Sequence, residues 1–148
     1  MNERELQLLE IQISGNRSGE LISLQDVEIS PELLSQFTNI FVDCFGHSDT
    51  AVYRPTAIYC ILVDDELAST AAVTPMLQPG NYYIYNVCTF SKYRRQKLSR
   101  TLFQLLPSAV YYLEVEPENV PAYRLYIGLG FVMMGISQRN AHVLRAEL

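Results

Sequence analysis

The chain has 148 residues, and at a prior of about 150 residues per domain that length predicts one domain built on a single core. Hydrophobic residues make up 49% and charged ones 18%, with only 7 Gly and 7 Pro, a balance that excludes disordered and fibrous classes. A net charge of −5 argues against a surface that tracks nucleic acid or an anionic membrane, so any anionic partner must be held locally.

The acidic start Met1-Asn2-Glu3-Arg4-Glu5 is unlike a signal peptide, and no stretch nears the roughly 18 uninterrupted apolar residues of a membrane helix. A cytoplasmic location is expected, or a nuclear one by diffusion. Leu6 to Ser14 is apolar in both registers, and the alternation Ile11-Gln12-Ile13 predicts an extra strand. Ser14-Gly15-Asn16-Arg17-Ser18-Gly19 reads as a turn and Glu20 to Gln25 as a short strand. Ser30-Pro31-Glu32 then supplies an N-cap, a first-turn proline and an acid at the positive helix end. Leu33, Leu34, Phe37, Ile40 and Phe41 follow at helical spacing, so a helix of about four turns should end near Cys44. Phe45 to Pro55 is polar and irregular and reads as a loop. Ile58 to Val63 and Leu67 to Val73 form a hairpin through Asp64-Asp65-Glu66.

After the break at Gln78-Pro79-Gly80, the pattern predicts a strand at Tyr82 to Thr89, a helix at Tyr93 to Leu106 and a strand at Val110 to Val115. A second helix starts at Asn119, with Ala122, Leu125, Tyr126 and Leu129 on one stripe and Gly130 past its end. Phe131 to Ser137 and His142 to Glu147 close the chain as a hairpin through Arg139-Asn140. Alternating strands and helices require crossovers, so part of the sheet is parallel. The expected fold class is mixed α/β (α+β): one domain over residues 1–148, with a partly parallel sheet of six to seven strands flanked by helices.

Cys44, Cys60 and Cys88 are odd in number and widely spaced, which predicts reduced, mostly buried thiols and no metal site. The basic residues are less evenly spread. Lys92, Arg94, Arg95, Lys97 and Arg100 place five of eleven within nine positions, and without them the chain would carry −10 rather than −5. A charge run is often only a solvated helix face. This one sits where a strand hands over to a helix, so backbone N–H groups and side chains converge on one spot that suits a phosphate or pyrophosphate.

The stretch from Asn86 to Ser99, with Arg94-Arg95-Gln96-Lys97-Leu98-Ser99 opening a helix, resembles the acyl-CoA-binding motif of the GNAT N-acetyltransferase family. Leu113 to Phe131, with Asn119, Ala122, Leu125-Tyr126 and Gly130-Phe131, is similar to that family's second motif. The resemblance implies the acyl-CoA N-acyltransferase fold, acetyl-CoA as cofactor, and direct attack of an amine on the thioester. It assigns cofactor contacts to Val87, Cys88, Thr89, Arg94, Arg95, Gln96, Lys97, Leu98, Ser99, Arg100, Asn119 and Tyr126, with Cys88 the best guess for an exposed backbone N–H at the end of the strand. Lys97 and Ser99 stand where the family has two small residues, one of them glycine. Lys97 must therefore either swing out to pair with phosphate or block the close approach.

The resemblance gives Tyr126 the role of donor to the CoA sulfur, although its place on the apolar stripe equally suits a core aromatic. Glu114 is the candidate general base, and a structurally paired glutamate is the plainer alternative. His47, in the polar loop, falls where the family often builds its acceptor site. Of ten tyrosines, Tyr83 and Tyr85 stand on the strand leading to the cofactor site. β-sheet packing explains such residues, and a face open to a cleft would suit an amine with an aromatic or aliphatic body. Taken together, the residues and the resemblance imply an acetyl-CoA-dependent N-acetyltransferase acting on a small-molecule or protein amine, as a monomer or homodimer, with no nucleic-acid or membrane partner. A catalytically silent acyl-CoA-binding module and a phosphate-binding domain with accidental motif similarity are the alternatives.

Overall fold

The computed structural model describes residues 5–15 and 19–148. Residues 16–18 of the turn expected over 14–19, and the first four residues of the chain, lie outside the described residues. The expected mixed architecture is what is found. Seven strands form one sheet: β1 (Leu6–Ile13), β4 (Thr56–Val63), β5 (Glu66–Pro75), β6 (Asn81–Thr89), β7 (Val110–Val115), β9 (His142–Glu147) and β8 (Val132–Ile136), in that spatial order. β6 and β7 run parallel and the other neighbours antiparallel. β2 (Glu20–Ser23) and β3 (Ala51–Arg54) form a separate antiparallel pair.

Local chemistry explains the elements that were easiest to read. In α1 (Pro31–Phe45), the Ser30 Oγ accepts from the Leu33 N–H at 3.1 Å, and Gly46 ends the helix in the left-handed region at φ 77°. Phe37, Ile40 and Phe41 turn inward and are at most 3% exposed. Burial of each contributes roughly 1.5–3 kcal/mol. Asp64 and Asp65 both take positive φ, 49° and 66°, which turns β4 into β5 with the twist a hairpin needs.

The sheet carries α1 on one face and α2 (Leu98–Gln104) and α3 (Val120–Gly128) on the other. Alternation along β7 sorts the two cores: Tyr111, Leu113 and Val115 enter the α2/α3 core, so Tyr112 and Glu114 face the α1 side. Among the described residues no helix is long and apolar enough to cross a membrane.

Three expectations need correction. Residues 51–54 are strand β3 rather than loop, because Val52 is 1% exposed in the α1 core and the segment pairs with β2. The helix expected from Tyr93 starts only at Leu98, since Arg95 and Lys97 adopt positive φ, 67° and 59°, ahead of it. Finally, Cys44 and Cys88 are joined in a disulfide across 44 residues, because the last turn of α1 packs on the end of β6. Cys60 remains a buried thiol, and desolvation pushes its pKa up to about 11.

Candidate active site

The site begins with two interruptions of β6. On one side, β6 pairs with β7 only through Asn81↔Val110, Tyr82↔Tyr111 and Tyr83↔Tyr112, after which the strands part. On the other side, the ladder with β5 slips: Ala72 faces Tyr85 and Thr70 faces Cys88, so Ala71 alone spans Asn86 and Val87. Asn86 takes φ 52°, a conformation asparagine tolerates better than most residues, and its Nδ2 donates to the Ala51 carbonyl at 3.2 Å. The irregularity is thus centred on Asn86 and Val87 rather than on Cys88. Cys88 is back in register, 4% exposed, with its side chain tied under α1.

The basic cluster lies just beyond, and the structure divides it. Lys92 pairs with Glu66 and lies over the Tyr93 ring. Arg94 donates to the Thr89 carbonyl at 3.2 Å and pairs with Asp43 at 3.6 Å. Asp43 also accepts from the Ser91 N–H and Oγ, each at 2.8 Å, so α1 pins the start of the turn. Arg95, Lys97 and Arg100 have no acid within ion-pair distance among the described residues. The Arg100 guanidinium reaches across to Gly128 of α3, where an added Cβ would stand 3.0 Å away. The N–H groups of Leu98, Ser99 and Arg100 precede the first intrahelical bond, Thr101 N–H to the Lys97 carbonyl at 3.1 Å.

Lys97 occupies the conformation for which glycine is suited, so the turn keeps a glycine-like path without the glycine. Holding a side chain there costs about 1–2 kcal/mol. Lys97→Gly should therefore raise Tm by roughly 2–5 °C in a thermal melt, whereas an unchanged or lower Tm would mean that the lysine side chain is itself structural. Ser99 is drawn to the strand: its Oγ lies 2.7 Å from Thr89 Oγ1, which in turn lies 3.0 Å from Ser69 Oγ. Leu98 is 6% exposed in the core, so only its backbone faces the turn.

On the α1 face, Glu114 of β7 meets Tyr83 of β6. The Tyr83 hydroxyl donates to Glu114 Oε2 at 3.0 Å, and Arg139, from the β8–β9 turn, donates to the same oxygen at 2.8 Å. Partial burial pulls the Glu114 carboxyl upward, but hydrogen bonds from Ser137, Tyr83 and Arg139 outweigh it and hold the pKa below its ordinary value. Tyr83 stacks on Tyr85 with ring centroids 6.0 Å apart, and Tyr53 meets Tyr85 edge-on at 5.0 Å. Tyr85 Oη accepts from the Tyr53 N–H at 2.8 Å and lies 2.8 Å from Thr56 Oγ1, which fixes the ring. Tyr83, Tyr85 and Glu114 are therefore brought together. His47 instead stacks on Phe45 at 6.0 Å, beyond the end of α1. The sequence reading missed Tyr53, Asp43 and Arg139. Arg139 in particular sits in a predicted turn whose spacing carries no trace of its partner.

On the opposite face, Asn119 caps α3, its Oδ1 accepting from the Ala122 N–H at 3.4 Å. Tyr126, two turns along, is 6% exposed and packs against Phe103 and Phe131 at 5.7 and 5.8 Å. Burial pushes its hydroxyl up to about 12. Tyr123 Oη lies 2.9 Å from His142 Nδ1, which gives that histidine a packing role. Two surface depressions of about 260 and 300 Å³ lie elsewhere on the α2 face, one beside Tyr82 and Tyr111 and one beside Leu105, and neither includes Glu114 or Tyr126.

Residues 27–131, from just before α1 to the end of α3, match the sequence model of the acetyltransferase (GNAT) family. The chain belongs to that family. Solved structures with the same fold include the ribosomal-protein-S18-alanine N-acetyltransferase of Escherichia coli, at 16% identity and TM-score 0.63 over 87% of this chain and 93% of that one. An acetyltransferase from Streptococcus agalactiae aligns at 12% identity and TM-score 0.64, covering 89% and 99% of the two chains. The diaminobutyrate acetyltransferase of Paenibacillus lautus, in complex with L-2,4-diaminobutyric acid and coenzyme A, aligns at 12% identity and TM-score 0.53 over 61% and 69%. At these identities the likeness to solved structures is one of fold. No curated protein matches the chain.

Proposed function

We propose that this GNAT chain transfers an acetyl group from acetyl-CoA to a primary amine by direct attack, with both reactants held where β6 and β7 part. The observation that carries the reading is the parting itself: β6 and β7 separate after Tyr83↔Tyr112, and Glu114 stands on β7 just past that point. An ionised carboxylate, Glu114, stands on the α1 face, and a protonated phenol, Tyr126, is buried in the core of the other face.

The residues present fit acetyl-CoA. Arg95, Lys97 and Arg100, left without acidic partners around one turn, suit a pyrophosphate, and the N–H groups of Leu98 and Ser99 open toward the same turn. Val87 and Thr89 lie on the part of β6 past its last pairing with β7, and Asn119 caps α3; the resemblance assigns all three to cofactor contact. Gln96 lies within the turn, and Arg94 steadies it through Asp43. Cys88, bridged and buried, contributes backbone only. When bound, acetyl-CoA supplies the electrophilic thioester.

In the transfer, a nitrogen–carbon bond forms and a carbon–sulfur bond breaks. The amine gives its proton to Glu114 and the sulfur departs as a thiolate, so atoms and charge balance. Glu114 accepts the amine proton, directly or through water, and the tyrosine wall of Tyr83 and Tyr85 positions the acceptor beside it. Tyr126 acts at the sulfur. With its pKa near 12, it is about three units less acidic than an ordinary thiol near 8.5, so it stabilises the departing thiolate by hydrogen bonding rather than by giving its proton away.

A hydrogen bond to a charged group is worth about 1.5–3 kcal/mol. Tyr126→Phe should accordingly lower kcat by roughly 10- to 150-fold and leave the KM for acetyl-CoA nearly unchanged. Mass-spectrometric detection of acetylated products from a panel of amines gives the rates. An unchanged kcat would remove Tyr126 from the chemistry, and an absence of product with every amine would favour the silent acyl-CoA-binding module.

A further inference from the structure

The carboxylate assigned to take up the proton is already occupied. Glu114 Oε2 accepts from Arg139 Nη2 at 2.8 Å and from Tyr83 Oη at 3.0 Å. Ser137 also hydrogen-bonds this carboxyl, and the other two partners are held very differently. Tyr83 belongs to β6 and is locked by stacking on Tyr85. Arg139 projects from the β8–β9 turn with its side chain 68% exposed, against 20% for Glu114. Glu114 is thus the fixed end of the pair and Arg139 a cation on a short tether.

An amine reaching Glu114 as an ammonium ion meets a guanidinium in its place. Two cations on one carboxylate oxygen repel, so Arg139 must rotate away when the acceptor arrives, and its exposure lets it do so with little loss of packing. Once displaced it loses its ion pair; Glu116, just past the end of β7, acts on its charge but does not pair with it. Arg145 on β9, opposite Tyr112, already pairs with Glu147 at 3.1 Å and lies over the Tyr112 ring, so it is committed elsewhere. A guanidinium offers two parallel donors, the geometry that a carboxylate matches.

Resting on the acetyl-transfer reading above, we infer that Arg139 selects the acceptor by exchanging Glu114 for an anionic group on the incoming molecule, so that the site takes amines bearing a carboxylate close to the amino group. The wall of Tyr53, Tyr83 and Tyr85 beside Glu114 adds an apolar body to that description. A free amino acid with an aromatic or aliphatic side chain is the chemical class that satisfies all three features.

The test compares L-phenylalanine with 2-phenylethylamine, which differ only in the carboxylate, on the wild-type protein, Arg139→Gln and Arg139→Lys. The wild type should favour L-phenylalanine at least tenfold in kcat/KM, chiefly through KM. Arg139→Gln should bring that ratio near one, and Arg139→Lys should restore part of it. A ratio near one in the wild type, or one that survives Arg139→Gln, overturns the inference. Should neither amine be acetylated, the amine panel decides the acetyl-transfer reading, and calorimetric titration of the same pair in the presence of CoA still decides the role of Arg139. Tighter binding of L-phenylalanine that is lost in Arg139→Gln supports it, and equal binding of the two ligands overturns it.

Discussion

Glu114→Gln should lower kcat/KM for acetyl transfer by about 10²- to 10⁴-fold, the range general-base catalysis contributes, while moving Tm by only a few degrees. The amide keeps the volume of the side chain and can still accept from the Tyr83 hydroxyl, so packing is retained and only the ability to take up a proton is removed. The pH profile gives a second reading of the same residue. The Glu114 carboxyl is held below its ordinary range, so it is ionised throughout the neutral region. Its protonation therefore does not limit the rate in the neutral range. The rate should instead climb through neutrality as the ammonium group of the acceptor becomes easier to deprotonate. A Glu114→Gln enzyme with wild-type kcat/KM would reduce Glu114 to a structural partner of Tyr83 and Arg139.

The largest expected loss of stability comes from Phe131→Ala. Phe131 is 1% exposed and meets both Phe103 and Tyr126 edge-on, with ring centroids at 6.0 and 5.8 Å. Truncating a buried phenylalanine costs about 3–5 kcal/mol. At this chain length that corresponds to a fall of roughly 10–20 °C in Tm by calorimetry or circular dichroism. The same ring supports Tyr126, so activity measured well below the lowered Tm should also fall, through kcat more than through KM. A variant that melts within 3 °C of the wild type would show that the core closes readily over the space, and would remove this support for Tyr126.

Much of this arrangement was legible in the sequence because local rules and tertiary context agree there. Ser30-Pro31 and Gly46 bracket α1 with the chemistry that helix ends demand, Asp64-Asp65 turns the hairpin, and Asn119 caps α3. Glu114 was singled out as a carboxylate on the strand before Asn119, and Tyr83 and Tyr85 by their place on the strand that leads to the basic turn. What could not be read depends on distant partners. β3 is four residues beside a proline, and it is a strand only because β2 pairs with it. Cys44 and Cys88 meet because α1 packs on β6, and their spacing carries no sign of it.

The turn before α2 was misread for a different reason. Positive φ at Arg95 and Lys97 is normally announced by glycine, and here it is imposed on residues that disfavour it, so helical spacing from Tyr93 onward was misleading. The slip in β6 did leave a signal. Asparagine in the middle of a strand, as at Asn86, is a residue that tolerates the left-handed conformation, and it marks the break more faithfully than the family pattern that pointed to Cys88.

The central claim is that the turn from Arg95 to Arg100 and the gap between β6 and β7 form one acetyl-CoA site. Thermal unfolding with acetyl-CoA, CoA, ATP or no ligand tests it most directly, with an Arg95→Ala/Arg100→Ala double variant alongside. A ligand at 100 times its Kd adds about 2.7 kcal/mol. Both CoA forms should therefore raise Tm by roughly 5–10 °C while ATP leaves it in place, and the double variant should lose most of that rise. No shift with either CoA form at millimolar concentration, or a shift that the double variant keeps in full, would contradict the account.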